Sequence, residues 1–479
     1  MAVRSDFRLY HGNDLELLAG LLAAELARPV PGRPLLAPDV VLVPQPAMRR
    51  WLQKALAEAH GIAANLRFLA PGEFVQLALD ANVPASNAAP VGDAARLRWR
   101  LWQLLADEAR MRANPLFAPL QPVLGGGDGA LSAWQLAGEL AEAFEKYQAW
   151  RRDWLRGWDR GADREDWQAE LWRLATHGHS HRGKRLDAYL SRFDGEAQGV
   201  PAGLPPRVFA FACQNVSPDV LRVIASAARA STLHFYFLSP VRGWWGDLQT
   251  AGERLRADPE GVFADEENPL LRANGAAGRD FVRTLFAYDV VHPDFDKPVY
   301  EGPDPETRTG LLHRLQRDLL ERAPPRDAAL PLAAIADPSL QVHSCHTRLR
   351  EVQVLHEQLR ALLEADPSLQ PREIAVLTPD IDLYAPFVEA VFGADGTTRS
   401  PIPFALADGS AMATEPVAEA FAQLLSLPQS RFGAEEVLSL LAAPALAERF
   451  GLEAGDFAPL REWLKAAGAR WGLDAAHRR

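Results

Sequence analysis

Two short clusters in this sequence contain side chains of the types that bind metal ions. Asp380 and Asp382 could hold Mg²⁺ for phosphodiester hydrolysis, because nuclease sites use clustered carboxylates with a lysine. The stretch from His343 to His346 contains two histidines and Cys345, which are zinc-ligand types. A strand alternates its side chains between two faces, and no distant second pair completes a zinc set. We therefore favour a helix N-cap at Asp380 and predict no metal site.

A third cluster has the chemistry of a nucleic-acid contact. Arg96, Arg98 and Arg100 are interleaved with Trp99 and Trp102. Arginines pair with phosphates and tryptophans stack on bases, so the pattern suits single-stranded DNA. It also fits an amphipathic helix with leucines inward and arginines in solvent, and we favour that interpretation. The net charge of −11 disfavours strong unaided DNA binding, although a charge sum says nothing about local grooves.

The composition is typical of a globular protein with several domains. A length of 479 residues suggests two to four domains, and 48% hydrophobic residues provide ample core. Cys213 and Cys345 are too few for a disulfide framework. The start has no apolar signal region, and no stretch of about 18 apolar residues follows. We expect a cytoplasmic protein with no membrane contact.

Strand and helix patterns alternate near the start and predict a parallel α/β sheet. Asn13 and Glu16 have capping-box spacing at the first helix. Residues 90–200 carry scarce strand signals and long helical patterns at 96–111 and 131–158. The strand candidates are residues 7–10, 40–43, 208–211 and 233–237. We predict a first α/β domain from 1–90 and 200–335, with a helical insertion subdomain at 90–200 and loops, short helices and a linker over 255–335.

A second α/β unit is predicted over residues 336–412. Its strand candidates are the apolar runs at 340–343, 374–377 and 403–406. A long amphipathic helix separates the first two runs. Residues 413–479 are helical in pattern, and we expect them to begin a helical subdomain inserted in the second unit.

Several motifs resemble the RecC family, the gamma subunit of the bacterial exodeoxyribonuclease V (RecBCD) complex. The resemblance runs from Tyr10 to Trp471, and because RecC chains are much longer it implies an N-terminal portion. The motifs are Leu9-Tyr10-His11-Gly12-Asn13, Leu42-Val43-Pro44-Gln45, Gly61-Ile62-Ala63-Ala64-Asn65 and, most specific, Cys345-His346 with Arg350-Glu351-Val352 and Asp380-Ile381-Asp382-Leu383-Tyr384.

The resemblance implies a fold, a role and partners. The fold class is α/β, with P-loop-helicase-like parallel-sheet motor domains that lack the nucleotide site and carry a large helical insertion. The role is a non-catalytic DNA-binding scaffold in recombinational double-strand-break repair. RecB-type and RecD-type subunits would supply the chemistry of ATP and Mg²⁺, and the substrates would be duplex DNA ends and single-stranded DNA. The alternatives are an autonomous ATP-dependent helicase or nuclease, and a purely structural subunit without DNA contact.

Two turns lack the residues that bind a nucleotide. A P-loop needs glycines, a lysine for the phosphates and a hydroxyl for Mg²⁺. The turn His11-Gly12-Asn13-Asp14 has no lysine and no hydroxyl, and Asp14 would repel phosphate. The stretch Ala212-Cys213-Gln214-Asn215 stands where an acidic pair would hold Mg²⁺. We expect no ATP hydrolysis and no cofactor in this chain, with His11, Gly12, Asn13, Asp14, Cys213 and Gln214 as the degenerate nucleotide site.

The resemblance also implies a channel in which a single strand is scanned for the hotspot octamer Chi. Carboxylates at Glu142 and Glu145 can accept from cytosine amino groups, and Arg151 and Arg182 suit guanine or phosphate. The matching positions are Pro44, Pro46, Arg50, Ala70, Gln76, Glu142, Ala143, Glu145, Arg151 and Arg182.

Three of these positions depart from the family pattern. Pro44 and Pro46 have no side-chain hydrogen-bonding group, and Gln76 stands where the family pattern would have an aromatic ring that stacks. We expect the chain to thread single-stranded DNA and to read a different hotspot or none. An open alternative is that Arg151 and Arg182 only pair with local carboxylates such as Asp153 and Asp159.

Overall fold

A computed structural model describes most of the chain in two compact units. The units are Met1–Leu340 and Gln341–Arg479. None of the helices described combines the length and the hydropathy needed to cross a membrane. The described residues are 5–34, 36–83, 91–126, 129–195, 199–257, 267–287, 296–302, 310–325, 337–393, 402–407, 415–472 and 474.

The first unit contains a six-stranded sheet in which every neighbouring pair is parallel. The strands are β1 (Asp6–Gly12), β2 (Asp39–Leu42), β3 (Leu66–Leu69), β4 (Arg207–Phe211), β5 (Thr232–Leu238) and β6 (Asp296–Val299). Their order across the sheet is β3-β2-β4-β5-β1-β6. The predicted parallel α/β sheet is thereby confirmed, and the four predicted strands are β1, β2, β4 and β5.

Helices cover both faces of this sheet. All residues of β4 are buried, as a central parallel strand requires. Alternate strand residues enter two separate cores, so Phe209 packs with Tyr236 on one face and Ala210 with Phe235 on the other. The α-helices of the described first unit are α1 (Leu15–Leu26), α2 (Pro46–His60), α3 (Pro71–Asn82), α4 (Ala94–Leu105), α5 (Glu108–Ala113), α6 (Gln121–Leu124), α7 (Gly129–Trp150), α8 (Arg152–Asp159), α9 (Trp167–Thr176), α10 (Arg182–Phe193), α11 (Pro218–Ser226), α12 (Ala251–Ala257), α13 (Pro269–Asn274), α14 (Ala276–Phe286) and α15 (Leu311–Leu320).

Helices α4 to α9 have a hydrophobic core of their own. Leu101, Phe117, Phe144 and Trp172 are fully buried in it. The two long helices expected at 96–111 and 131–158 are each divided. Asp107 accepts a hydrogen bond from the backbone N–H of Arg110 and so starts a new helix at α5. Arg151 has φ −133° and ψ 43°, which ends α7 and lets α8 begin in a new direction.

The second unit is helical in its described part, and the predicted second sheet is wrong for these residues. Its α-helices are α16 (Arg348–Ala365), α17 (Ile381–Phe392), α18 (Pro416–Ser426), α19 (Ala434–Leu441), α20 (Pro444–Phe450) and α21 (Phe457–Ala466). The runs at 340–343, 374–377 and 403–406 form no strand, and Val342 and Leu377 are 93% and 91% exposed. A strand needs a neighbour's backbone for its hydrogen bonds, and the described residues supply none to these runs.

A buried polar cluster lies within the first sheet. The His234 ring on β5 stacks on Phe209 with ring centroids 4.8 Å apart, and its Nδ1 lies 3.4 Å from the hydroxyl of Tyr10. The same hydroxyl donates to Glu25 at 3.3 Å. Burial, aided by the charge of Arg8, lowers the pKa of His234 from 6.5 to about 3. The imidazole is therefore neutral in the folded protein at neutral pH.

We expect the stability of the first unit to depend on pH through His234. Between pH 6.5 and 3 the unfolded chain binds a proton that the folded chain excludes. The free energy of unfolding should therefore fall by about 1.4 kcal/mol per pH unit as the pH decreases through this window. Urea titrations at pH 6.5 and 4.5 of the natural chain and of His234→Phe test this, because phenylalanine takes up no proton. Equal losses in both proteins would exclude His234 as the cause.

Candidate functional site

The sheet brings the two turns that were predicted to be a degenerate nucleotide site to one edge. Strand β5 lies between β1 and β4, and all three run in the same direction, with Gly12 opposite Leu238 and Phe211 opposite Tyr236. Ligands of open α/β sheets bind outside the carboxyl ends of the strands, which is this edge. The turn at 11–14 and the turn at 212–215 therefore lie where a nucleotide and its metal ion would meet in an α/β enzyme.

The first turn satisfies its own hydrogen-bonding groups. One oxygen of Asp14 accepts from the backbone N–H groups of Glu16 at 2.7 Å and Leu17 at 3.1 Å. Free N–H groups and the helix dipole make such an N-terminus attractive to phosphate. Here the carboxylate of Asp14 takes that position and adds a negative charge. The N-cap of α1 is thus Asp14, and the expected capping box of Asn13 with Glu16 is wrong.

A neighbouring segment packs against the same turn. The side chain of Asn13 donates to the carbonyl of Glu301 at 2.7 Å and accepts from its N–H at 3.0 Å. His11 Nδ1 lies 2.7 Å from the hydroxyl of Tyr300. A Cβ atom on Gly12 would lie 2.0 Å from the carbonyl oxygen of Val299, so only glycine fits there. Asn13 therefore ties two chain segments together instead of capping the helix.

The second turn carries no carboxylate. Ala212 adopts a left-handed backbone with φ 52°, and the Gln214 side chain donates to the carbonyl of Leu238 at the end of β5. The thiol of Cys213 is fully buried, and burial raises its pKa to about 12. A neutral thiol at physiological pH is a poor metal ligand, because the thiolate is the binding form. This turn therefore offers no carboxylate ligand to Mg²⁺.

Five of the positions implied for DNA reading lie at the ends of β2 and β3 and on the helices that follow. The N–H of Val43 donates to the carbonyl of Leu69 at 3.0 Å, which places Pro44 beside Ala70. Pro46 begins α2, Arg50 lies on its exposed surface, and Gln76 on α3 donates to Asp80 at 2.7 Å. All five of these positions, Pro44, Pro46, Arg50, Ala70 and Gln76, are exposed.

The other five lie on and beside the helical part. Glu142, Ala143 and Glu145 are on α7, Arg151 is the residue between α7 and α8, and Arg182 begins α10. Glu142 and Arg151 are exposed, and the other three are half-buried. All ten candidates are accessible to a ligand, but no hydrogen bond or ion pair between described residues joins the first five to the second five. Their grouping into one channel stays a prediction.

Arg151 and Arg182 have no ion pair with any residue that the structure describes. Asp159, a suggested partner, instead binds His181 Nε2 at 2.8 Å and lies 3.9 Å from Lys184 Nζ. Arg151 lies over the ring of Trp154, with Cζ 5.4 Å from its centroid. Most nearby arginines form ion pairs with carboxylates. Arg151 and Arg182 do not, so their guanidinium groups are free to bind an anion.

A network of ion pairs that the sequence did not indicate joins α8, α10 and α11. Arg152 pairs with Asp187 on α10 and with Asp219 on α11, the latter at 2.7 Å. Arg156 also pairs with Asp187, and Arg222 pairs with Asp219 at 3.4 Å. Arg152 and Arg156 are far in the chain from their partners, so local spacing could not have predicted how the helices are joined; the Arg222–Asp219 pair has the local i, i+3 spacing. The network fixes the directions of α8 and α10, which start beside Arg151 and Arg182.

The two groups of candidates are connected through helices α3 and α10. Asp80 on α3 pairs with Arg185 on α10 at 2.7 Å and also accepts from Gln76. The arginine, together with Gln76, lowers the pKa of the Asp80 carboxyl. Gln76 is thereby held near α10, whose first residue is Arg182. This chain of contacts is one route between the two groups.

The metal-ligand types singled out in the sequence do not assemble into a site in the described part of the chain. Asp380 accepts from the backbone N–H groups of Asp382 at 3.1 Å and Leu383 at 3.4 Å, which confirms it as the N-cap of α17. His343 Nε2 lies 3.1 Å from the amide oxygen of Gln341. No group of three or more His, Cys, Asp or Glu residues in the regions described could hold a metal ion.

Comparisons with known proteins agree on one family. The family model described as RecC, N-terminal domain, matches residues 7–322, and that described as RecBCD enzyme subunit RecC fourth domain matches residues 414–479. The RecBCD enzyme subunit RecC of Escherichia coli (strain K12) is 32% identical over 98% of this chain and 45% of its own length. The subunits of the same name from Haemophilus influenzae and Mycolicibacterium smegmatis are 28% and 30% identical, each over 98% of this chain and over 46% and 43% of their own lengths. The chain thus spans less than half the length of these curated relatives.

We expect Asp14→Ala to destabilise the first unit by about 1 kcal/mol, because two N–H groups of α1 lose their acceptor. Asp14→Ser should keep most of the stability, since serine also accepts at an N-cap. Urea unfolding of the three proteins measures the difference. A loss as large in the serine variant as in the alanine variant would show that Asp14 does not act as a cap.

We expect Arg152→Ala to destabilise the first unit by about 3 kcal/mol. The Arg152 side chain is only 11% exposed, and its removal leaves Asp187 and Asp219 as poorly solvated carboxylates without their main partner. The matched control is Arg112→Ala, whose exposed pair with Glu108 should contribute no more than about 1 kcal/mol. Chemical denaturation that gives equal losses for both variants would contradict this account of the network.

Proposed function

The chain belongs to the RecC family, and from this membership we propose that it is a DNA-guiding scaffold without catalytic activity of its own. It acts within a RecBCD-type helicase–nuclease in recombinational double-strand-break repair in the bacterial cytoplasm. RecB-type and RecD-type subunits supply ATP hydrolysis and Mg²⁺ chemistry. The DNA partners are duplex ends and the single strands that unwinding releases.

The closed turn at the N-terminus of α1 is the observation that carries the non-catalytic part of this proposal. The carboxylate of Asp14 takes the position of a phosphate, and the segment Tyr300 to Glu301 packs against the turn. The other turn of the pair offers the buried thiol of Cys213 where an acidic pair would be needed. The parallel sheet order supports a motor-type domain retained for its shape. An autonomous ATP-dependent helicase would need the first turn to bind phosphate and the second turn to hold Mg²⁺, and neither turn has the side chains for this.

The free arginines support the DNA-guiding part. Arg151 and Arg182 are accessible cations without carboxylate partners among the described residues, and Glu142 and Glu145 add acceptors on the adjoining helix α7. Phosphate contacts position a strand, while base-edge contacts select its sequence. Pro44, Pro46 and Gln76 cannot reproduce the polar and aromatic contacts that the family's pattern has there. We therefore propose that the strand is threaded along this surface and that a hotspot other than the best-known Chi octamer, or none, is read.

We expect Arg151→Ala and Arg182→Ala each to weaken binding of a single strand by a complex reconstituted with RecB-type and RecD-type subunits. Each variant should reduce the slope of log K against log salt concentration by about 0.7, because each arginine neutralises one phosphate. A photoreactive strand should crosslink near both residues in the natural protein. Arg112→Ala, which removes an exposed but paired arginine, is the matched control and should behave as the natural chain does. Crosslinks confined to other surfaces would contradict the threading proposal and favour a purely structural subunit.

A further inference from the structure

A cluster of arginines and tryptophans lies on the surface where α4 packs against α7. We name it the α4–α7 patch and define it by Arg96, Arg98, Trp99, Arg100 and Trp134. The rings of Trp99 and Trp134 lie with their centroids 4.5 Å apart, and Arg98 lies over Trp134 with Cζ 3.9 Å from the ring centroid. Trp99 is 55% exposed. A tryptophan so exposed, and yet supported on one side by a second ring, presents a flat apolar surface to solvent.

The patch is held rigidly by the fold. Leu97 and Leu101 bury the opposite side of α4 in the helical core, as the amphipathic pattern predicted. Arg98 donates to the backbone carbonyl of Trp134 at 3.3 Å, and its guanidinium fills the space above Gly138, where a Cβ atom would lie 3.0 Å from Cζ. Trp99 packs against the rings of Trp102 and Trp134, so we expect that ordering its side chain on binding costs little entropy.

The charges of the patch point to an anionic ligand. Arg96 and Arg100 lie one turn apart on α4, and neither forms an ion pair with a described residue. On the next helix the exposed Arg110 and Arg112 both do, with Asp107 at 3.5 Å and Glu108 at 2.7 Å. Like charges at i and i+4 destabilise a helix, and bound anions between or beside them would relieve that repulsion.

The patch continues the proposed DNA surface along one helix. Trp134 lies eight residues before Glu142 and eleven before Glu145 on α7. At 1.5 Å per residue these are separations of roughly 12 and 16 Å along the axis. Eleven residues make about three full turns, so Trp134 and Glu145 lie on nearly the same side of α7. One extended strand passing Glu145 can therefore reach the patch without leaving this side of the helix.

We propose that the α4–α7 patch is a second contact for single-stranded DNA, with Trp99 stacking on a base and with Arg96 and Arg100 pairing with flanking phosphates. The combination of a supported aromatic ring with unpaired cations is what single-strand binding uses without regard to sequence. The inference rests on the proposed function in one respect, which is that the same strand passes Glu142 and Arg151. The patch adds a site that binds the single strand before or after it is scanned.

The test is binding and crosslinking of a 20-nucleotide oligo(dT) that contains 5-iododeoxyuridine, with the natural chain and with variants in the reconstituted complex. Trp99→Ala should weaken binding about 5- to 150-fold, the range for loss of one stacked base. Trp99→Phe should retain most of the affinity, because phenylalanine still stacks. The double variant Arg96→Ala/Arg100→Ala should reduce the salt slope by about 1.4. The photocrosslink should map to the peptide that contains Trp99.

Two matched controls separate the patch from general effects. Trp463→Ala removes an exposed tryptophan of the second unit, and Arg112→Ala removes an exposed arginine of the next helix, α5; neither should change binding. Thermal unfolding of each variant shows whether the fold is intact, and Trp99→Phe keeps the test decisive if Trp99→Ala unfolds.

The outcomes distinguish this inference from the proposed function. Unchanged binding by folded Trp99→Ala, with losses still seen for Arg151→Ala and Arg182→Ala, would overturn the patch and leave the threading proposal standing. Losses at Trp99 without any at Arg151 or Arg182 would support the patch and count against the threading surface. If Trp99→Ala instead prevents association with a partner subunit while oligo(dT) binding persists, the patch is a protein interface and the inference is wrong.

Discussion

The parallel pairing of β1 and β4 with the strand between them, β5, is the constraint on which the rest of this structure depends. It directs the carboxyl ends of all three strands to one edge, so the turns that follow β1 and β4 must lie close together. In α/β enzymes this edge receives the ligand. Here Asp14, Asn13 and Gln214 use their hydrogen-bonding capacity on the protein's own backbone. The edge at which ligands bind in α/β enzymes is therefore filled here with the protein's own hydrogen-bonding groups.

The ion pairs of Arg152 are a second constraint, because they fix how the helical part packs against the sheet. Arg152 joins α8 to α10 and α11, and Arg185 joins α10 to α3. The side chains of these arginines form ion pairs that hold the helices together. Arg151 and Arg182, at the starts of the same helices, are left for solvent or for a ligand. The proposed DNA-guiding role needs this division, since a rigid frame must carry cations that it does not itself neutralise.

The sequence predicted the parts of the fold whose signals are local. The buried runs of β2, β4 and β5 and the amphipathic leucines of α4 are such signals, and the structure has them. Strand β6 was missed because Asp296-Lys297-Pro298-Val299 is charged and contains a proline, which suits an edge strand with one neighbour. The runs at 374–377 and 403–406 were wrongly predicted as strands, since pattern alone does not supply a neighbour. At the site, the absence of a lysine from the turn at 11–14 could be read from the sequence, but the capping by Asp14 and the hydrogen bonds between Asn13 and Glu301 depend on tertiary structure.

We propose that this chain has the shape of a motor domain without its catalytic activity. The most direct measurement is ATP hydrolysis by the purified chain with Mg²⁺, with and without single-stranded DNA. We expect no turnover above that of buffer alone in either condition, because the carboxylate of Asp14 occupies the phosphate position and the second turn has no carboxylate to hold the metal ion. DNA-stimulated hydrolysis that copurifies with the chain and is lost in Asn13→Ala or Gln214→Ala would contradict it.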